Sequence, residues 1–297
     1  MKRSTLVLLA TIPIFVAAAL FALKGPGEES SGSDIRGPFV TFDSAAVDRI
    51  TIDGPGTSVE LVRRDGEWRM VRPVPGRADQ AAPAGFLHDL RDARRKEVVS
   101  SRPEKRSIFQ VDSTGTTVRL YAGSAEAATI VVGKEAGSYL ERYGRSGSSN
   151  DVVLVDGLGP GQMNKPLKDW RDRTLLRIPR ERIGGVRYQY GDTVVAVSLR
   201  DSLWTVNGRP VRSEAVDGLL TALSAFEADD IVPVPPAAPP RVTASLRVGD
   251  VDIAFAYEKD RNAYLVRASG SPEWFRLEPW HAAQVLLRAR DLERRVK

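Results

Sequence analysis

The sequence predicts an α+β protein: an N-terminal transmembrane helix followed by two repeated units, each an antiparallel meander sheet packed with one or two helices. Three observations carry the prediction. An uncharged apolar run opens the chain. A hairpin, a helix and a strand then occur in the same order at 58–100 and again at 194–232. Each copy is followed by short alternating strands between glycine-rich turns, the pattern of a meander. The expected division is 1–23 transmembrane anchor, 24–38 flexible linker, 39–177 first unit and 178–297 second unit.

The anchor rests on Thr5–Leu23, which follows Lys2 and Arg3 and holds no charge. About 19 residues at about 1.5 Å each give about 28 Å of helix, enough to cross a bilayer core. Leu20-Phe21 make a poor peptidase site, although cleavage after Ala19 or Ala22 stays open. The chain has no cysteine, so a lipidated cysteine is excluded, as are thiol catalysis and cysteine-held metals. Lys2 and Arg3 should stay in the cytoplasm by the positive-inside rule. The expectation is a single-pass protein of the bacterial inner (cytoplasmic) membrane, N-terminus in, with the C-terminal region extracytoplasmic. Lys24–Pro38, rich in Gly, Ser, Pro and acids, reads as the linker.

In the first unit Val47–Ile52 opens as a strand. Val59 and Leu61 alternate with polar neighbours, Asp65-Gly66 supplies a tight turn, and Trp68 and Met70 resume the alternation. Asp79 or the Ala82-Pro83 step starts a helix whose apolar stripe is Phe86, Leu87, Leu90 and Ala93, and Val98-Val99 reads as a strand. Segments 116–123, 128–133, 138–144 and 151–157 form the meander, and Pro166–Leu176 reads as a closing helix. The second unit repeats the order. Val195, Val197 and Leu199 alternate, Arg200-Asp201-Ser202 turns, Trp204 and Val206 return, and Ser213 is the expected N-cap of a helix along Val216, Leu219, Leu220, Leu223 and Phe226. Ile231-Val232 closes the unit, the proline run 232–240 is a rigid connector, and 242–278 repeats the meander. Pro279–Arg295 reads as the last helix.

The strand, the hairpin with Gly66-Glu67-Trp68-Arg69-Met70, the loop to Ala78-Asp79, the helix into a Val-Val strand and the spacing Gly137-Ser138-Tyr139-Leu140-Glu141-Arg142 together resemble the domain-of-unknown-function family 4340. The resemblance covers roughly 40–270. It departs at Ile108-Phe109-Gln110-Val111, where members carry a Phe-Gly-Leu step. It implies an envelope protein similar to gliding-motility-type ABC transporter auxiliary proteins, and no established activity.

No catalytic constellation stands out. There are two histidines, His88 beside a helix stripe and His281 after Trp280, too few for a metal site by themselves. The serines lack a Gly-x-Ser-x-Gly elbow, and Gly144-Arg145-Ser146-Gly147 reads as a hairpin tip and not as a phosphate loop. No cofactor is expected. A net charge of +5 is mild and its acids are interspersed, so the arginines read first as a solvated surface. The densest basic cluster, Arg91, Arg94, Arg95, Lys96, Arg102, Lys105 and Arg106, is a candidate for an anionic partner. Trp68 and Trp204 read as core, while Trp274 and Trp280 are candidates for a partner-binding patch. The function expected is a non-enzymatic, membrane-anchored accessory or scaffold protein of an ABC-type envelope transport complex, with other membrane or envelope proteins as partners and no nucleic acid. The alternatives are a ligand-binding module for envelope glycan or peptide in a cleft between the units, or a hydrolase with a carboxylate pair.

Overall fold

Tight turns set the architecture. Asp65 and Gly66, at φ 52° and 82°, join β3 (Thr57–Arg64) to β4 (Glu67–Arg72), because both positions of this hairpin need positive φ. The same connection in the second half uses Asp201 and Ser202, at φ 48° and 64°, between β13 (Thr193–Arg200) and β14 (Leu203–Val206). The computed structural model describes residues 34–234 and 236–294.

The first sheet also contains β1 (Asp34–Pro38), β2 (Arg49–Gly54), β5 (Gly76–Arg77), β6 (Arg94–Ser100), β7 (Thr116–Ala122), β8 (Ala125–Glu135), β9 (Glu141–Ser146) and β10 (Val152–Asp156). Its order is β1-β6-β10-β9-β8-β7-β2-β3-β4-β5. The second adds β12 (Gly185–Tyr190), β15 (Arg209–Pro210), β17 (Asp230–Ile231), β18 (Ala244–Val248), β19 (Val251–Glu258), β20 (Ala263–Ala268) and β21 (Phe275–Leu277). Its order is β15-β14-β13-β12-β18-β19-β20-β21-β17. Read strand for strand from β5 and from β15, the nine strands of the second sheet match the first nine of the ten-stranded sheet, and β1 alone has no counterpart there. The chain entering each sheet also behaves alike. β1 pairs with β6, and β11 (Thr174–Arg177) pairs with β16 (Ala225–Glu227), each partner following a long helix.

Those helices are α1 (Ala81–Asp92) and α3 (Ser213–Ser224), with α2 (Pro160–Met163) a single turn between them. Asp79 starts α1, its Oδ1 accepting the Ala81 and Ala82 amides at 2.7 and 3.1 Å. Gln80 ties the helix to the hairpin, accepting from the Trp68 amide at 2.7 Å and donating to the Trp68 carbonyl at 3.0 Å. Phe86, Leu87 and Leu90 bury against Ile50, Leu61, Trp68 and Met70. Val216, Leu219, Leu220 and Leu223 bury against Val195, Val197, Trp204 and Val206. Trp68 and Trp204 are therefore both buried, in equivalent strands.

Several expectations are corrected. The class is not α+β: the described chain is mostly antiparallel sheet, and its longest helices span 12 residues each. Pro166–Leu176 is not a helix but a 3-10 turn, Leu167–Trp170, followed by β11, whose backbone finds its partners in β16. The last helix breaks into α4 (Pro279–Val285) and α5 (Ala289–Arg294). Leu287 is buried at the break, and Asp291 restarts the helix by accepting the Arg288 amide at 2.8 Å. Ser213 makes no side-chain cap, and Arg212 holds the N-cap position. Asp34–Pro38, at the end of the expected linker, is β1. No described helix is long and apolar enough to cross a membrane, and the expected anchor at 1–23 lies outside the described residues.

Candidate functional site

The chain leaving the first sheet runs back beside β5. The Ala78 and Arg171 positions form an isolated antiparallel bridge, Asp172 donates its amide to Arg77 at 3.0 Å, and Asp79 donates to the Trp170 carbonyl at 3.0 Å. Trp170 anchors this run by meeting Phe86 edge-on, with ring centres 5.4 Å apart. The next side chain, Arg171, is consequently held between the two sheets and is buried.

Arg171 joins three segments that are distant in sequence. Its Nε donates to Arg77 O of β5 at 3.1 Å and its Nη1 to Val74 O at 2.8 Å and Pro75 O at 3.4 Å, both in the loop between β4 and β5. Its Nη2 pairs with Glu273 of the second sheet. A Cβ on Gly76 would overlap both the guanidinium and the carboxylate, so only glycine fits there. Burial lowers the Arg171 pKa, with Glu273 opposing the shift. Burial likewise pushes the Glu273 carboxyl above its ordinary range, and Arg171 pulls it back in part. For both groups desolvation outweighs the attraction, the expected balance for a buried ion pair.

Around this pair is a cleft of about 480 Å³. Its walls are the loop Pro73, Val74 and Pro75, the segment Ile231, Val232, Pro233 and Pro236, and the segment Pro272, Trp274 and Phe275. The size falls within the roughly 300–1,000 Å³ of small-molecule sites, and mostly apolar walls with a few polar groups are their usual make-up. Trp274 is braced by Arg267, whose guanidinium carbon lies 4.7 Å from the ring centre. Among the described lining residues Glu273 is the one carboxylate, and no serine, threonine or histidine is present. Two sequence candidates therefore separate, since Trp274 lines the cleft while Trp280 lies beyond the other end of β21. Trp280 is exposed and stacks on His281 at 5.1 Å. His281 Nδ1 sits 3.0 Å from Asp229, whose other oxygen accepts the Glu278 amide at 2.8 Å, a cap for α4.

The basic cluster lies elsewhere, at the far edge of the first sheet, and it is partly tied down. Arg91 contacts Asp92 and His88, and Arg94 caps the end of α1 through the carbonyls of Arg91 and Ala93 at 3.0 and 3.3 Å. Arg95 lies along Gly37 of β1. Lys96 reaches Glu141 at 2.5 Å, and Arg106 reaches Asn150 at 2.5 Å. Arg102 and Lys105 are exposed. Among the described residues no group of three or more His, Cys, Asp or Glu side chains is placed to hold a metal ion.

Sequence reasoning missed Arg171, Glu273 and the proline walls. Arg171 is one of many arginines, and by composition the run 232–240 reads as an exposed spacer. Its prolines were the available signal, because rigid rings without N–H groups make walls as readily as spacers.

A family model described as a domain of unknown function, DUF4340, matches residues 68–246, more than half of the chain. No curated protein and no solved structure matches. The matched span opens at Trp68 on β4 and contains α1, the meander, the Arg171 crossing and the Trp204 hairpin, and the chain belongs to the DUF4340 family.

Proposed function

We propose that this chain is a non-enzymatic accessory protein of the cell envelope that acts by binding, and that the cleft between the two repeated sheets receives its ligand or a segment of its partner. The observation that carries this reading is the cleft itself: about 480 Å³, apolar walls from three chain segments, and a floor held by the Arg171–Glu273 pair. The single carboxylate and the lack of a nucleophile in its lining favour binding over hydrolysis, which needs at least two cooperating groups. The apolar run Thr5–Leu23 favours a place at the membrane, with the repeated sheets on the extracytoplasmic side. The family resemblance adds an ABC-type transport complex as the setting for such an accessory chain.

A photo-crosslinking residue at Val234, exposed between two wall prolines, tests the reading in cells, with Glu104 on the far side as control. The expected result is one product from position 234 that disappears when Val232→Trp fills the cleft. The same product from position 104, or none from 234, overturns the proposal.

A further inference from the structure

The hydrogen-bonding character of the cleft is one-sided. Five of its lining residues are prolines, at 73, 75, 233, 236 and 272, and a proline offers a carbonyl acceptor but no N–H. Arg171 is the evident donor, yet four of its five N–H groups are already directed at Arg77, Val74, Pro75 and Glu273. Glu273 Oε2 takes the guanidinium, while Oε1 has no hydrogen-bond donor among the described residues, and the side chain is 25% exposed. An incoming ligand thus meets flat apolar rings and a spare carboxylate oxygen. The ion pair is neutral as a unit, so a full charge of either sign gains little from it.

We propose that the occupant is an aromatic side chain carrying one N–H or O–H donor, a tryptophan or tyrosine presented by a partner polypeptide; this rests on the cleft being the binding site. The ring lies against the proline walls and Trp274, and its donor meets Glu273 Oε1. Proline-rich ligands docked on aromatic grooves use the same contact with the roles exchanged. An aromatic ring loses little rotamer freedom when it is buried and brings a polar tip, which suits a pocket with one acceptor. An anionic ligand would face acceptors throughout. A glycan would bring many hydroxyls to walls that satisfy few of them.

Ligand-observed fluorine NMR on the full chain tests this with 5-fluoroindole, 4-fluorophenol, fluorobenzene and 4-fluorobenzoate. Fluoroindole and fluorophenol should bind about tenfold more tightly than fluorobenzene, as one hydrogen bond to a carboxylate implies. Fluorobenzoate should not bind. N-acetyl-tryptophanamide should displace fluoroindole, and both Val232→Trp and Pro236→Trp should abolish binding. The second variant lies in the irregular connector and guards against a folding defect in the first. If fluorobenzoate or fluorobenzene binds as well as fluoroindole, the cleft remains a site but the donor-bearing aromatic is wrong. Displacement by a neutral oligosaccharide at lower concentration than by N-acetyl-tryptophanamide overturns it in favour of glycan. If no probe binds, or binding survives both blocking variants, the cleft reading falls and this proposal with it.

Discussion

Arg171→Ala is the most informative single perturbation. The side chain is 2% exposed and makes bonds to three backbone carbonyls and one carboxylate. Removing it leaves Glu273 charged without its partner and the Val74 carbonyl without its donor, while the Arg77 carbonyl keeps the Asp172 amide. Breaking a buried pair from one side costs about 3–5 kcal/mol. Glu273 is a quarter exposed and can turn toward water, so the lower end, about 3 kcal/mol, is expected. Removing both partners together should cost less than the two single losses combined, because neither charge is then stranded. Urea unfolding of wild type, Arg171→Ala, Glu273→Leu and the double variant gives the cycle, and the coupling should exceed about 1 kcal/mol. The urea slope of Arg171→Ala should also fall if the two sheets come apart separately, since each step then exposes less surface. A single variant within about 0.5 kcal/mol of wild type, the range of ordinary surface changes, would refute the claim that Arg171 joins the sheets.

Other substitutions test the repeat and the cleft. Trp68→Ala and Trp204→Ala each bury a void in separate cores and should each cost about 3–5 kcal/mol, close to additively, by urea midpoint. Ser202 holds at φ 64° the place that Gly66 fills at φ 82° in the first sheet, so Ser202→Gly should raise stability by about 0.5–1 kcal/mol. Gly85→Ala, on an open face of α1, should stabilise by about 0.5–1 kcal/mol in a thermal melt, whereas Gly76→Ala should destabilise by displacing the Arg171–Glu273 pair. Glu273 binds its proton more tightly folded than unfolded, so its contribution is fully present below the ordinary glutamate value. That contribution is lost as pH rises through the raised native value. The difference in urea midpoint between wild type and Glu273→Gln should therefore change across that window and stay flat above it.

The hairpins, the two long helices and the duplication were legible because local chemistry specifies them. Asp65-Gly66 can take positive φ, Trp68 and Met70 alternate, and Leu219, Leu220 and Leu223 share one helical face. The duplicated order at 58–100 and 194–232 corresponds to a duplicated strand order in space, because each copy carries its own turns and its own apolar face. What local pattern does not determine is which partner satisfies a backbone. Thr174–Arg177 could continue a helix by its apolar residues, yet it is a strand because Ala225–Glu227 lies free beside it. The same limit hid the overall class, since β1, β5, β15 and β17 are short edge segments whose strand character comes from the neighbour they pair with. It also hid the cleft. Val74, Arg171 and Glu273 are separated by about a hundred residues at each step, and nothing in their local sequence marks them. Only the packing of one sheet's exit strand against the other sheet brings a guanidinium, a carboxylate and five prolines to one place, where burial gives them the properties a binding site needs.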